Sequence, residues 1–314
     1  MHYIEDPTFS LPPEIYTPCN TPGYTPAYVG HEPIDLTITV EGGALRGIFA
    51  AGALDFLLDV GVIAKNLVGV SAGALSGFSY VSGERGRSCY VNVRFCTEWR
   101  YLSMRSFMTT GNAYGVKFAF HDIAEKYCPQ DNAGFRSSPC NLIATVTNLE
   151  TGQAEFMHVV DPETDLIYLR ASSAMPFVSQ TVIIDGKPYL DGGISDAIPV
   201  EHSIGLGNKK QIVLLTQDRA YRKEKSRIYD FGSVVYHNFP NFCEAMNTRH
   251  LRYNKERAKI AQMAEAGEIF AIYPQVRPEV KHMETDRNKL FSLYMDGYLE
   301  TQRQWPALRK YLEI

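Results

Sequence analysis

The run Val68-Gly69-Val70-Ser71-Ala72-Gly73-Ala74 sets a serine between two glycines, after an apolar strand and before a helix of small residues. A serine on so tight a strand-to-helix turn holds its hydroxyl clear of the chain. A side chain at Gly69 or Gly73 would collide with the backbone that raises it. The helix predicted from about Ala72 to Val81 directs its N-terminal amides at charge developing beside Ser71. Such a serine suits acyl transfer, and the chemistry then requires a base, an oxyanion hole and a water-poor pocket. G-x-S-x-G alone is a moderate signal; the strand before it and the helix after it add weight.

A second glycine-rich turn, Glu41-Gly42-Gly43-Ala44-Leu45-Arg46-Gly47, follows the β-branched run Ile34–Val40. Glycines there leave backbone N–H groups unshielded, which makes the loop a candidate oxyanion hole, with Arg46 fixing it or favouring an anionic head group. The same backbone could cradle a phosphate. However, Ala44 stands where the second glycine of a dinucleotide motif belongs, and no Walker lysine follows. On the loop alone, catalytic and purely structural readings balance.

The base is less legible. Asp191 ends a predicted strand and precedes Gly192-Gly193, a placement shared by catalytic carboxylates and by ordinary turn aspartates. None of the eight histidines has a telling context, yet His202, His237, His250 and His282 all follow in the order a Ser-Asp-His triad allows. No H-E-x-x-H or paired-carboxylate spacing points to a metal, and no cofactor is expected.

The elements that must position these residues read as α/β grammar. Strand 34–40, the glycine loop, a helix 48–60, strand 67–70, the serine turn and its helix imply parallel pairing through crossovers. Helix and loop fill 85–136. Strands follow at 141–147 and 154–160, then 167–174 as a strand entering a small-residue turn. A hairpin turns at Asp185-Gly186, 211–216 is a buried strand, 230–268 is helical, 269–273 is a last strand, and 285–312 is helical again. Residues 1–33 hold seven of the 17 prolines and read as an extended arm, 34–270 as the main domain, and 271–314 as a mainly helical extension.

A net charge of −4 and a pI near 6.1 exclude a nucleic-acid binder of the usual basic kind. Six scattered cysteines without a C-x-x-C pair read as reduced thiols. No secretory signal and no apolar run near 20 residues is present, which predicts a cytoplasmic protein. The aromatic stretch Phe107, Tyr114, Phe118, Phe120 is either an acyl channel or ordinary core. The cationic run Arg249–Lys259 reads as a solvated helix face.

Taken together, the glycine loop, Gly69-Val70-Ser71-Ala72-Gly73 and Asp191-Gly192-Gly193 resemble, in order and spacing, the patatin-like phospholipases. The resemblance covers roughly residues 34–217. It extends to Ala171-Ser172-Ser173-Ala174-Met175-Pro176 and Thr147-Asn148-Leu149-Glu150-Thr151-Gly152, and in the tail to Ile272-Tyr273-Pro274, Leu293-Tyr294 and Gly297-Tyr298, a pattern of a bacterial subgroup. It implies a three-layer α/β/α sandwich with a mostly parallel sheet. It also implies a Ser71–Asp191 dyad without histidine, with Gly42, Gly43, Ala44 and Arg46 before Gly47 supplying the oxyanion hole. Ala44 departs from the glycine many members carry, and the hole survives if that position does not require positive φ. The expected activity is hydrolysis of a lipid acyl ester through an acyl-serine, with transient membrane-surface contact following from the substrate. Acyl transfer to another acceptor, or lipid binding without chemistry, are the alternatives.

Overall fold

The computed structural model describes residues 15–314. Residues 1–14, the first part of the proline-rich arm, lie outside the described residues. From Ile15 onward the arm runs in turns over the body: Ala27 N–H donates to Gly83 O at 2.9 Å, and the Tyr28 hydroxyl to Gly134 O at 2.7 Å.

In chain order the elements are β1 (Ile34–Val40), α1 (Ile48–Asp59), β2 (Ala64–Val70), α2 (Ala72–Val81), α3 (Arg87–Phe95), α4 (Met104–Thr110) and α5 (Asn132–Ser137), with a π-helical stretch Phe118–Tyr127 before α5. Then come β3 (Asn141–Asn148), β4 (Ala154–Val159), α6 (Leu166–Ser172), β5 (Val182–Ile184), β6 (Lys187–Asp191), α7 (Val200–Gly205) and β7 (Lys210–Leu214). The chain closes with α8 (Gly232–Val235), α9 (Pro240–Glu265), β8 (Phe270–Ile272) and α10 (Arg287–Leu312).

One sheet runs β5-β6-β3-β2-β1-β7-β8, with β4 added on β3. Strands β3, β2, β1, β7 and β8 are mutually parallel, while β4, β5 and β6 pair antiparallel. Helices flank this mixed, mostly parallel sheet as expected for an α/β/α sandwich. The central strands β1 and β2 are buried along most of their length, Thr37 and Thr39 of β1 included, because both faces of the sheet are covered.

Residues 167–174 are a correction: most of that stretch is helix α6, with no strand. Leu166, Leu169 and Ser173 line one cavity, a spacing of three and four that fits a helix face. α6 packs across β3 and β6, burying Leu169, Ala171 and Ser172.

The Leu-Tyr and Gly-Tyr pattern of the tail serves α10. Gly297 lets α10 approach the backbone of α1 at Phe49, where a Cβ would collide with the carbonyl. The Tyr294 hydroxyl donates to Asp55 at 2.9 Å and that of Tyr298 to Asp59 at 2.8 Å. The two aspartates that interrupt the apolar run of α1 thus take the tail tyrosines. Among the described residues, no helix is long and apolar enough to cross a membrane.

Candidate active site

Ser71 sits between β2 and α2 at φ 55°, ψ −122°, a conformation an L-residue adopts only when its surroundings impose it. The imposition is visible on both sides. A Cβ on Gly69 would lie 2.5 Å from Ala74 Cα, and one on Gly73 would lie 2.5 Å from Val40 O. The strand, the turn and the helix therefore approach more closely than any side chain permits. The Ser71 amide donates to the Ser172 hydroxyl at 2.8 Å, tying the turn to the end of α6.

Strand β3 brings Asp191 to this turn. β2 pairs with β3 up to Val70↔Thr145, and β6 takes over at Asp191↔Val146. Because β4 occupies the opposite edge along the same stretch, β2 and β6 share one edge of β3 and meet end to end there. The residue after Val70 and the last residue of β6 become neighbours although 120 positions separate Ser71 from Asp191.

Asp191 is buried, and burial raises its carboxyl above the ordinary range. The hydrogen bond with the Ser71 hydroxyl, the charge of Arg249 and the Gly193 amide (2.8 Å) oppose that shift without cancelling it. The loop beyond is fixed through its carbonyls. Thr147 Oγ1 donates to Asp191 O at 2.8 Å, Arg249 Nε donates to Gly193 O, and Arg252 donates to Ile194 O at 2.8 Å.

The glycine loop closes a 3₁₀ turn over Ala44–Gly47. The Arg46 amide closes that turn on Gly43 O at 3.2 Å, and the Gly42 amide faces Ala197 O at 3.5 Å. Among the described residues, the amides of Gly43 and Ala44 have no protein acceptor. Ala44 stands at φ 49°, so the position does use the left-handed backbone that glycine prefers. Its N–H remains present, and the alanine carries strain instead. Glu41 anchors the loop: its carboxylate, 2% exposed, accepts from the Thr216 amide at 2.6 Å and the Tyr253 hydroxyl at 2.5 Å.

Ser71, Ala44, Leu45 and Gly47 open on a cavity of about 110 Å³ whose walls include Ile48, Leu75 and Met175. Of the aromatic stretch, Tyr114 and Phe120 line this cavity. Phe118 packs in the core against Phe95, edge to face at 5.6 Å, and Phe107 lies against the same core.

Each histidine that could have served as a base lies elsewhere. His202 stacks on Phe156 at 3.6 Å, His237 faces Val234 O, and His250 and His282 line a separate cavity of about 620 Å³. Among the described residues none hydrogen-bonds Ser71 or Asp191.

The cationic run on α9 overturns the expectation of a solvated face. Arg249 and Arg252 turn inward onto the loop after Asp191, and Arg257 is buried, donating to Asp218 O at 2.6 Å. Lys255 and Lys259 behave as expected: both are exposed, and Lys259 pairs with Glu201 at the surface. Periodicity gives no warning, because arginines that cap loop carbonyls look in sequence like arginines in water. Glu41 is visible as part of a motif, but its partners come from residues 216 and 253 and only the fold unites them.

A family model described as Patatin-like phospholipase matches residues 38–204, and one described as Domain of unknown function (DUF6363) matches residues 239–313. The chain is 31% identical over 190 residues to YjjU of Escherichia coli (strain K12), an uncharacterized protein, across 59% of this chain and 53% of that one. It is 26% identical over 175 residues to lysophospholipase nte1 of Aspergillus oryzae (strain ATCC 42149 / RIB 40), across 54% of this chain and 11% of that one. The chain thus matches about half the length of the first relative and about a tenth of the second. The crystal structure of VipD from Legionella pneumophila aligns over 88% of this chain and 66% of that chain, with a TM-score of 0.44 and 12% identity.

Proposed function

The chain belongs to the patatin-like phospholipase family, and from that premise we propose that it hydrolyses carboxylic esters of lipids through a Ser71–Asp191 dyad. The observation that carries this reading is the junction on β3, where the end of β2 and the end of β6 set the Ser71 hydroxyl against a buried carboxylate.

Ser71 Oγ attacks the ester carbonyl while its proton passes to Asp191. The oxyanion that forms lies at the Gly43 and Ala44 amides and the N-terminal end of α2, donors already in place and without another acceptor. Collapse expels the alcohol, which takes the proton from Asp191 and leaves an acyl-serine. Water then repeats the sequence, giving its proton to Asp191 as it attacks. Desolvation makes the carboxylate a stronger base than an exposed aspartate. The acyl chain occupies the apolar cavity beside Ser71. The alternative of a histidine base loses support because His202, His237, His250 and His282 all sit apart from the pair.

The test is hydrolysis of short and medium p-nitrophenyl esters by the wild type, Ser71→Ala and Asp191→Asn, with thermal unfolding of each. A loss of about 10³-fold or more in both folded variants is expected. Retained activity in Ser71→Ala would remove the nucleophile, and retained activity in Asp191→Asn would remove the base.

A further inference from the structure

The patatin-like match ends at residue 204, and α9 lies wholly inside the segment 239–313 that matches a domain of unknown function. One stripe of that helix nevertheless reaches both halves of the candidate site. Arg249, Arg252, Tyr253 and Arg257 are spaced by three and four, which places them on one helix face.

At one end of the stripe, Arg249 Nε donates to Gly193 O, while Arg252 donates to Ile194 O at 2.8 Å and to Ser195 O at 3.2 Å. Further along, the Tyr253 hydroxyl holds Glu41, the residue before the glycine loop. Arg257 donates to Gln217 O and Asp218 O, next to Thr216, whose amide holds the other oxygen of Glu41. The helix thus fastens the loop after the candidate base and the anchor of the candidate oxyanion hole.

Arg249 stands closest to the chemistry. Gly193 is held from two sides: its amide donates to Asp191 Oδ1 at 2.8 Å, and its carbonyl accepts from Arg249. A Cβ on Gly193 would lie 3.1 Å from that carboxylate oxygen and 3.2 Å from Arg249 Nη2. Carboxylate and guanidinium therefore flank one point, within the range over which an opposite charge favours the ionised acid. The groups that act on the Asp191 carboxyl are the Ser71 hydroxyl, the Gly193 amide and Arg249, and of these only Arg249 carries a charge.

On its other side Arg249 meets cations. Its charge works against those of Arg46, Lys223 and Arg252 and against protonation of His282, and the Tyr229 hydroxyl accepts from its Nη1 at 2.8 Å. Glu224 and Glu279 line the same cavity. Toward its fellow cations the guanidinium opposes the folded state; toward Asp191 it favours the form that accepts a proton.

We infer that α9 is part of the catalytic apparatus and that Arg249 is a positioning residue, whose bond to the Gly193 carbonyl aims the Asp191 carboxylate at Ser71 and whose positive charge supports that carboxylate as a base. This rests on the dyad reading above. It gives the segment of unknown function a role in the reaction itself.

Two substitutions in the full chain separate the charge from the bond. The pH profile of kcat/KM on a p-nitrophenyl ester is compared in the wild type, Arg249→Gln and Arg249→Lys, with thermal melting of each. Arg249→Gln is expected to move the acid limb upward by about one pH unit and to lower the plateau about tenfold. Arg249→Lys keeps the charge without the fork, so its acid limb should stay within about 0.3 unit while its plateau falls about tenfold. An acid limb unmoved in folded Arg249→Gln overturns the inference. So does a wild-type plateau in Arg249→Lys, which would make the bond to Gly193 dispensable. Should Arg249→Gln fail to fold, the plateau of Arg249→Lys decides.

A second measurement needs no activity. Asp191→Asn is introduced into the wild type and into Arg249→Gln, and the change in melting temperature is read near pH 8. Without Arg249 the ionised carboxylate is less well supported, so removing it should raise the melting temperature more in Arg249→Gln than in the wild type. Equal changes overturn the electrostatic link. If the folded wild type hydrolyses no ester, the hydrolase reading fails, and this comparison alone then decides whether Arg249 acts on Asp191.

Discussion

The Tyr253 hydroxyl donates to Oε1 of Glu41 at 2.5 Å, and Oε2 of the same carboxylate accepts the Thr216 amide at 2.6 Å. Three segments far apart in sequence thus converge on one buried carboxylate directly before the glycine loop. Loss of one partner leaves a polar group unsatisfied at about 2% exposure, which typically costs about 1–3 kcal/mol. Glu41→Gln should lower kcat on a p-nitrophenyl ester about 10- to 100-fold with KM changed less than threefold, because the loop amides lose their position and the acyl cavity does not. Tyr253→Phe should act in the same direction and more weakly. Equal effects on kcat and KM would show that Glu41 supports the fold alone.

Asp191 titrates above the ordinary carboxylate range, through burial first, against the Ser71 hydrogen bond and Arg249. Only its ionised form accepts a proton, so the acid limb of kcat/KM should lie above the reference value of about 3.9. The same shift carries a stability consequence. A folded-state value raised above the unfolded one gives stabilisation that is complete below the unfolded value and is lost as pH rises through the folded value. At neutral pH the ionised carboxylate therefore opposes folding. Asp191→Asn should melt at or above the wild-type temperature at pH 7 while losing activity. A variant that melts well below wild type would show that the charge stabilises the loop, contrary to this account.

Backbone strain at Ser71 and Ala44 makes a paired prediction. Both hold positive φ, at 55° and 49°, where a non-glycine residue stores about 1–2 kcal/mol. Glycine removes the clash but adds freedom to the unfolded chain, about 0.5–1 kcal/mol. Ser71→Gly should thus be inactive and unfold no earlier than Ser71→Ala in thermal melts. Ala44→Gly should keep its ester hydrolysis within about threefold of wild type, since the amide remains. Activity lost in Ala44→Gly would mean that the alanine methyl, and not only its N–H, shapes the hole.

The junction of Ser71 with Asp191 shows what the sequence could disclose. Each residue closes a strand and opens a glycine turn, signals carried by a few neighbours and therefore readable locally. That Val70 and Asp191 pair with successive residues of β3 is a matter of register, and no local pattern reports it. The helix α6 is hidden for a related reason: periodicity in a short apolar run does not distinguish strand from helix, and that α6 packs across β3 and β6 is a matter of tertiary packing. Arg249 and Arg252 are hidden because their partners are backbone carbonyls, which carry no sequence signature.

Asp55 yields the prediction most independent of the chemistry. It is 4% exposed on α1 and accepts the Tyr294 hydroxyl of α10 at 2.9 Å. Burial raises its carboxyl to about 7, only partly offset by the Gly86 amide, Tyr294 and Arg85. Since the folded value exceeds the unfolded one, the group favours the fold below about pH 4 and loses that contribution as pH rises through 7. A rise of that size corresponds to roughly 4 kcal/mol, and an asparagine with one unsatisfied N–H gives part of that back, leaving a net gain of about 1–3 kcal/mol. Asp55→Asn should therefore raise the melting temperature by a few degrees at pH 8 and leave it nearly unchanged at pH 5. Thermal unfolding across that range decides the matter. An equal gain at both values would mean that shape, not ionisation, limits the α1–α10 contact, and a loss at pH 8 would mean that the carboxylate is charged and satisfied where it stands.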